Sequence, residues 1–213
     1  MAIPAAAPSL SVRAFAELIR LPAYEQLRVL HDQKYPRSEP QSFKIPFYQP
    51  ALKGIRDYYR SGNKLTALVA ARAAATAVGL ETRRAHNVRV IDQFEKSKQA
   101  KRRLQPKPSP RCSILLAGVE IRLRFDLVAL EGSAVRQIFY NLRNAAVDEE
   151  TSRTTLELAA HVLHMSGTLA SIRHLEYVDI NDCHSRSIGR IRSPTIKNVQ
   201  ANAKLIKTLW PTV

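Results

Sequence analysis

The sequence predicts a mixed α/β fold (α+β in class): a central mixed sheet flanked by helices, preceded by an all-helical N-terminal part. Three observations predict it. From Thr82 onward the periodicity runs helix, strand, strand, strand, helix, strand, followed by a short strand and a closing helix. Before Thr82 every periodic stretch is helical. The 213 residues are enough to bury a sizeable core. The expected division is therefore residues 1–80 for the helical part and residues 81–213 for the α/β core.

The first ten residues, rich in alanine and proline, are expected to be loose. Ser11 to Ile19 and Pro22 to Gln33 read as helices, with Pro22 in a first turn, where its missing N–H costs nothing. Tyr35 to Pro50 holds four prolines and reads as an irregular link. Ala51 to Arg60 carries Leu52, Ile55, Tyr58 and Tyr59 in a helical stripe that Gly62-Asn63 ends. Leu65 to Val78 is alanine-rich and strongly helical, and Gly79 terminates it. Thr82 to about Arg103 is a further helix, with Val88, Ile91 and Phe94 on one face. LQPKPSP breaks it.

From Arg111 the texture changes. Cys112 to Ala117 is a short apolar run, Val119 to Leu130 alternates, Glu131-Gly132 turns, and Ala134 to Leu142 is a second strand. Helical periodicity returns from Glu149 to Met165. Leu175 to Ile180 is a strand, Ser187 to Ile191 a weaker one, and Thr195 to Leu209 the closing helix.

Charge bounds the partners. Lys+Arg number 33 against Asp+Glu 18, a net +15, and such a field attracts polyanions. Ten basic side chains lie between Arg83 and Arg111, against Asp92 and Glu95 alone. The expected nucleic-acid contacts are Arg83, Arg84, Arg89, Lys98, Lys101, Arg102, Arg103 and Lys107, with DNA ahead of RNA. The bland alternative is a solvated helix end with cations suitably placed at its C-terminus. An acidic protein is the other partner this charge suits. The aromatic residues cluster elsewhere, between Tyr35 and Tyr59, with core packing as their main expected use.

Two cysteines, Cys112 and Cys183, form neither a disulfide framework nor a metal-ligand spacing, which suits a reducing, cytoplasmic setting. MAIPAAAPSL lacks the charged and apolar regions of a secretory signal. No apolar run approaches the 18 or more residues of a membrane helix, so no membrane contact is expected. Neither a phosphate-binding glycine loop nor a nucleophile elbow is present. Asp179, Asp182 and His184 sit where a strand meets a turn, and turn formation explains them better than a metal.

The order of elements, with Gly118 leading into a strand containing FDLV and a turn EG, resembles the PD-(D/E)XK nuclease-like superfamily, in particular its RecB-type branch. The resemblance covers roughly Thr82 to Ile191. It implies an Asp on one strand, matched by Asp126, then an acid, a spacer and a lysine on the next, with a His or Glu added from the preceding helix. Two such carboxylates would hold a divalent cation against a scissile phosphate. Here the acid position falls on Phe139 and the lysine position on Asn141. No Asp, Glu or Lys occurs from Ser133 to Val147. A lone carboxylate holds magnesium poorly, and arginine cannot serve as a base.

Asp126 is thus read as a vestigial ligand or, better, as the partner of a nearby arginine such as Arg122, Arg124 or one on a neighbouring element. The expected function is a catalytically degenerate, nuclease-like accessory or regulatory factor associated with nucleic acid, without cofactor. The superfamily's habits suggest a defence or toxin–antitoxin system. The alternatives are an active metal-dependent nuclease, using Mg²⁺ at Asp126 with Glu120, His86 or Glu95, and a protein-interaction module for an acidic partner.

Overall fold

A computed structural model describes residues 7–35, 47–168, 170–182 and 184–213. The stretch expected to alternate as one strand is two strands in two different sheets. A three-stranded sheet has the order β1 (Ser9–Ser11), β4 (Val119–Leu123), β3 (Cys112–Leu116). A five-stranded sheet has the order β2 (Gln105–Lys107), β5 (Leu127–Glu131), β6 (Ala134–Asn141), β7 (Leu175–Asp179), β8 (His184–Ser187). The link Arg124-Phe125-Asp126 carries the chain from one sheet to the other. The class is the mixed α/β one that the periodicities predict.

Helices occupy the remaining turns of the chain: α1 (Val12–Leu18), α2 (Ala23–Lys34), α3 (Gln49–Arg60), α4 (Leu65–Thr76), α5 (Glu81–Lys96), α6 (Glu149–Met165) and α7 (Ser193–Leu209). The part before residue 80 is not all-helical, because β1 pairs in parallel with β4, Ser9 opposite Glu120. Of the expected loose N-terminus, residues 1–6 lie outside the described residues, as do residues 36–46 of the proline-rich link. Pro22 takes the cap position of α2, one residue before its first turn. The last short strand is His184–Ser187, earlier than the Ser187–Ile191 expected.

The five-stranded sheet separates two apolar cores. Val128, Phe139, Leu175 and Tyr177 face a core built with α1, α6, α7 and the three-stranded sheet. Leu127, Ala129, Ile138, Tyr140 and Val178 face a second core built with α3, α4 and α5. Both cores contain residues from either side of residue 80. α3 crosses α4 at Gly54, where a methyl group would collide with the Cβ of Ala71. The β5–β6 hairpin is antiparallel, Leu127 opposite Ile138. The next pair, β6 and β7, is parallel and joined through α6, the crossover such a pair needs.

Local chemistry sets the helix ends that matter later. Ser11 caps α1 by accepting the Ala14 N–H at 3.1 Å. Asp148 caps α6 through the Thr151 N–H at 2.9 Å, and Glu149 and Glu150 add negative charge to its first turn. α5 ends at Lys96 rather than near Arg103. There the Ser97 hydroxyl donates to Phe94 O and accepts from Gln99 N–H, an alternative to continuing the helix. A single 3-10 turn, Gln99–Lys101, follows.

The turn after α3 fixes that basic segment in place. Gly62 and Asn63 both have positive φ, 74° and 66°. This aims the Asn63 amide at Ala100 O and Arg102 O, at 3.2 and 2.7 Å. Among the described residues no helix is long and apolar enough to cross a membrane.

Candidate nucleic-acid interface

Asp126 lies in the link between the sheets, and one oxygen of its carboxylate has two partners. Oδ2 accepts from the Arg13 guanidinium and from the Tyr140 backbone N–H at 2.8 Å. The Asp126 N–H in turn donates to Ile138 O at 3.0 Å. Its partner is an arginine on a neighbouring element, 113 residues away in sequence, and neither Arg122 nor Arg124. Burial works to lower the Arg13 pKa, but the charge and hydrogen bond of Asp126, with Tyr177 and Glu17, outweigh it and raise the value above its ordinary range. Arg13 also lies over the rings of Phe139 and Tyr177, at 5.3 and 6.0 Å.

The hypothetical metal ligands are not assembled. The acid position holds Phe139, buried with its ring 4.8 Å from that of Phe125. The lysine position holds Asn141, whose amide donates to Asp179 at 2.7 Å and to Ala145 O at 2.9 Å. Glu120 lies in the three-stranded sheet, where it accepts from the hydroxyl of Ser9 on the neighbouring strand at 2.5 Å. Glu95 pairs with Arg72. His86 sits edge-on to the Phe47 ring at 5.7 Å. No three His, Cys, Asp or Glu side chains come together among the described residues. The donor set around Asp126 does not fit a divalent cation, since arginines are its nearest charged neighbours.

The turn at DINDCH is held by its own side chains: Asp179 accepts the Asn181 N–H and Asp182 the His184 N–H. Cys183 lies outside the described residues.

Asp126 does border open space, and that space is basic. Three clefts adjoin one another. The first, about 490 Å³, is lined by Arg13, Arg56, Arg124, Arg143 and aromatic residues, with Glu17 paired to Arg143 at 3.0 Å. The second, about 260 Å³, shares Arg56, Arg124 and Asp126 with it and adds Arg60, Lys107 and Arg111. The third, about 680 Å³, shares Arg60 and Lys107 with the second and adds Lys101 and Arg103. Together they form one groove running from α1 along α3 and β2.

Its cations come from α3, from the segment after α5, from β2 and its following loop, and from the sheet-to-sheet link. Arg60 pairs with Asp57 on its own helix, and Arg56 Nε donates to Asp126 O at 2.6 Å. Burial lowers the Arg56 pKa, Asp126 works against that shift, and the like charges of Arg124 and Arg60 lower it further. Like charges held this close, with Asp126 the only acid in the second cleft and none in the third, are a standing repulsion that a bound polyanion would relieve.

The basic segment expected to form one binding face is divided. Lys101, Arg103 and Lys107 line the groove. Arg102 turns inward, making bidentate contacts to Glu131 at 2.8 and 2.9 Å and to Glu176 at 2.6 and 3.0 Å. Arg89 also turns inward, toward Gln93, Asn181 and Leu142 O. Arg83 donates to Phe47 O at 3.1 Å and Arg84 to Val78 O at 3.4 Å, near the start of α5. Lys98 is exposed, away from the groove lining.

Arg56, Arg60, Arg111 and Arg124 were not among the expected contacts. Their only signal in the sequence is charge scattered over distant elements, which folding gathers. Replacing Asp126 by alanine would strand the half-buried Arg13 cation and the Tyr140 N–H, at a cost of about 2 kcal/mol in unfolding free energy measured by urea titration. Asp126→Asn, which keeps an acceptor, should lose less.

Compared with known proteins, the chain matches no family model, no curated sequence and no solved structure.

Proposed function

We propose that this chain is a nucleic-acid-associated accessory or regulatory factor. It binds the phosphate backbone along the basic groove and does not cut it. The reading rests on one observation: seven cations (Arg56, Arg60, Lys101, Arg103, Lys107, Arg111 and Arg124) converge from distant parts of the chain on the second and third clefts, whose only acid is already bound by Arg13. A solvated helix end would not gather cations from separate elements. Phosphates neutralised by such a groove release counterions, so binding should be insensitive to sequence and sensitive to salt.

The scaffold belongs to this proposal as a nuclease-like one, resembling the PD-(D/E)XK superfamily and lacking its acid-x-lysine pair. The antiparallel hairpin β5–β6 followed by a parallel β6–α6–β7 crossover agrees with that resemblance. A place in a defence or toxin–antitoxin system follows the resemblance alone.

The test is a salt titration with labelled DNA and RNA. Engagement of about five phosphates gives a slope near −4 in log affinity against log salt. Binding that stays weak at low salt, with tight binding to an acidic polypeptide instead, would make the groove a protein-interaction surface. Cleavage of either nucleic acid in Mg²⁺ or Mn²⁺, abolished by Asp126→Ala, would restore the nuclease reading.

A further inference from the structure

The first cleft differs from the rest of the groove. Its volume of about 490 Å³ falls in the small-ligand range of roughly 300–1,000 Å³. Its lining combines Phe47, Tyr48 and Leu52 with Arg56, Arg124 and Arg143, and its two acids are already paired, Glu17 with Arg143 and Asp126 with Arg13. Flat rings and guanidinium groups lining one cleft suit a ligand that is planar and apolar at one end and anionic at the other.

Phe47 is placed there by the fold. The Asn87 amide, itself fully buried, donates to Phe47 O at 2.9 Å while its oxygen accepts the Ala51 N–H at 3.0 Å. Asn87 thereby ties the start of α3 to α5. The Phe47 ring contacts Tyr48 and His86 edge-on, at 4.9 and 5.7 Å, yet remains 38% exposed. Tyr58 and Tyr59, a few residues further along, are buried in the core. The chain thus keeps an aromatic ring in solvent at this one mouth of the basic groove.

We propose that this cleft receives one unpaired nucleotide of a single-stranded nucleic acid, its base against Phe47 and Tyr48 and its phosphate among Arg56, Arg124 and Arg143. The proposal rests on the groove-binding reading and refines it. A strand following the groove reaches the cleft directly, because Arg56 and Arg124 line both. A base inside a duplex has both faces stacked and its edge paired, so it cannot enter. Stacking on an aromatic side chain accepts any base, which keeps the site tolerant of sequence.

The experiment compares a labelled single-stranded 12-mer with the blunt duplex of the same sequence by fluorescence anisotropy, both measured over the same series of salt concentrations. The unaltered chain should bind the single strand more tightly. Phe47→Ala should weaken single-strand binding roughly five- to hundredfold, leaving duplex binding and the salt slope unchanged. Phe47→Trp should retain single-strand affinity. Thermal melts of both variants check that the fold is kept, as expected for an exposed ring.

Equal loss on single strand and duplex, or no loss with Phe47→Ala, overturns the proposal while leaving the groove intact. So does adenosine monophosphate binding as tightly as the oligonucleotide with the same dependence on Phe47, which would make the free nucleotide the occupant. Failure of the unaltered chain to bind either form removes the groove reading and this one together.

Discussion

Replacing Lys107, Arg111 and Arg124 together by alanine is expected to weaken nucleic-acid binding across all sequences and to flatten its salt dependence by two to three units of slope. Each phosphate contact contributes about one unit. These three are chosen because all line the second cleft, and none of their charged groups has an ion-pair partner among the described residues. Their removal leaves no carboxylate stranded, so stability should be unchanged or slightly raised as repulsion around Arg56 falls. The control is Lys98→Ala with Lys96→Ala, which removes exposed cations from the end of α5 without touching the groove. If that control weakens binding as much as the triple variant, net charge alone drives association and the groove has no special part.

Arg102→Ala should have the larger effect on stability. Glu176 is nearly buried, and Arg102 contacts both it and Glu131 in two-pronged fashion. Arg136 also reaches both acids, at 2.9 and 3.3 Å, so one cation would remain for two carboxylates. Breaking a buried pair by removing one partner costs about 3–5 kcal/mol, and the surviving Arg136 places the expected loss near the lower end.

The loss should depend on pH. The hydrogen bond from Arg102 is the main cause that holds the Glu131 carboxyl below its usual range, with burial opposing and the charges of Arg102 and Arg136 assisting. A carboxyl depressed in the folded state contributes stability above the unfolded carboxylate pKa, about 4.3, and loses it as pH falls through the folded value. Urea titrations from pH 7 down to pH 3 should therefore show a steep acid decline in the native chain and a shallower one in Arg102→Ala. Parallel declines would mean that Arg102 does not control this carboxyl.

Helix α6 and the link between the sheets show where the sequence was legible and where it was not. Glu149–Met165 was readable to the residue, because an acidic cap and an unbroken apolar stripe mark both ends. The switch between sheets was not. Leu123, Phe125 and Leu127 are all buried, so the period-2 pattern runs through the link without a glycine or proline to interrupt it. The only trace is the change at Leu127–Ala129 from alternating to continuous burial, as the chain enters a sheet covered on both faces.

The basic segment failed for a related reason. Its charges are contiguous in sequence, but the helix stops at Ser97. Successive residues then point in opposite directions, Lys101 and Arg103 to the groove and Arg102 to the acids. The pairing of Arg13 with Asp126, and the gathering of Arg56, Arg60 and Arg124, depend on contacts between residues far apart in sequence. No local pattern encodes them.

The parallel pairing of β1 with β4 has a consequence for how the chain is made. Ser9 waits for Glu120, and the Phe15 face of α1 waits for α6, which begins at Glu149. At about 5–20 residues per second on the ribosome, β1 and α1 stay without these partners for roughly 5–20 seconds or more. Val12, Phe15 and Leu18 lack their later core partners for that time, so during synthesis this segment presents apolar surface to a chaperone.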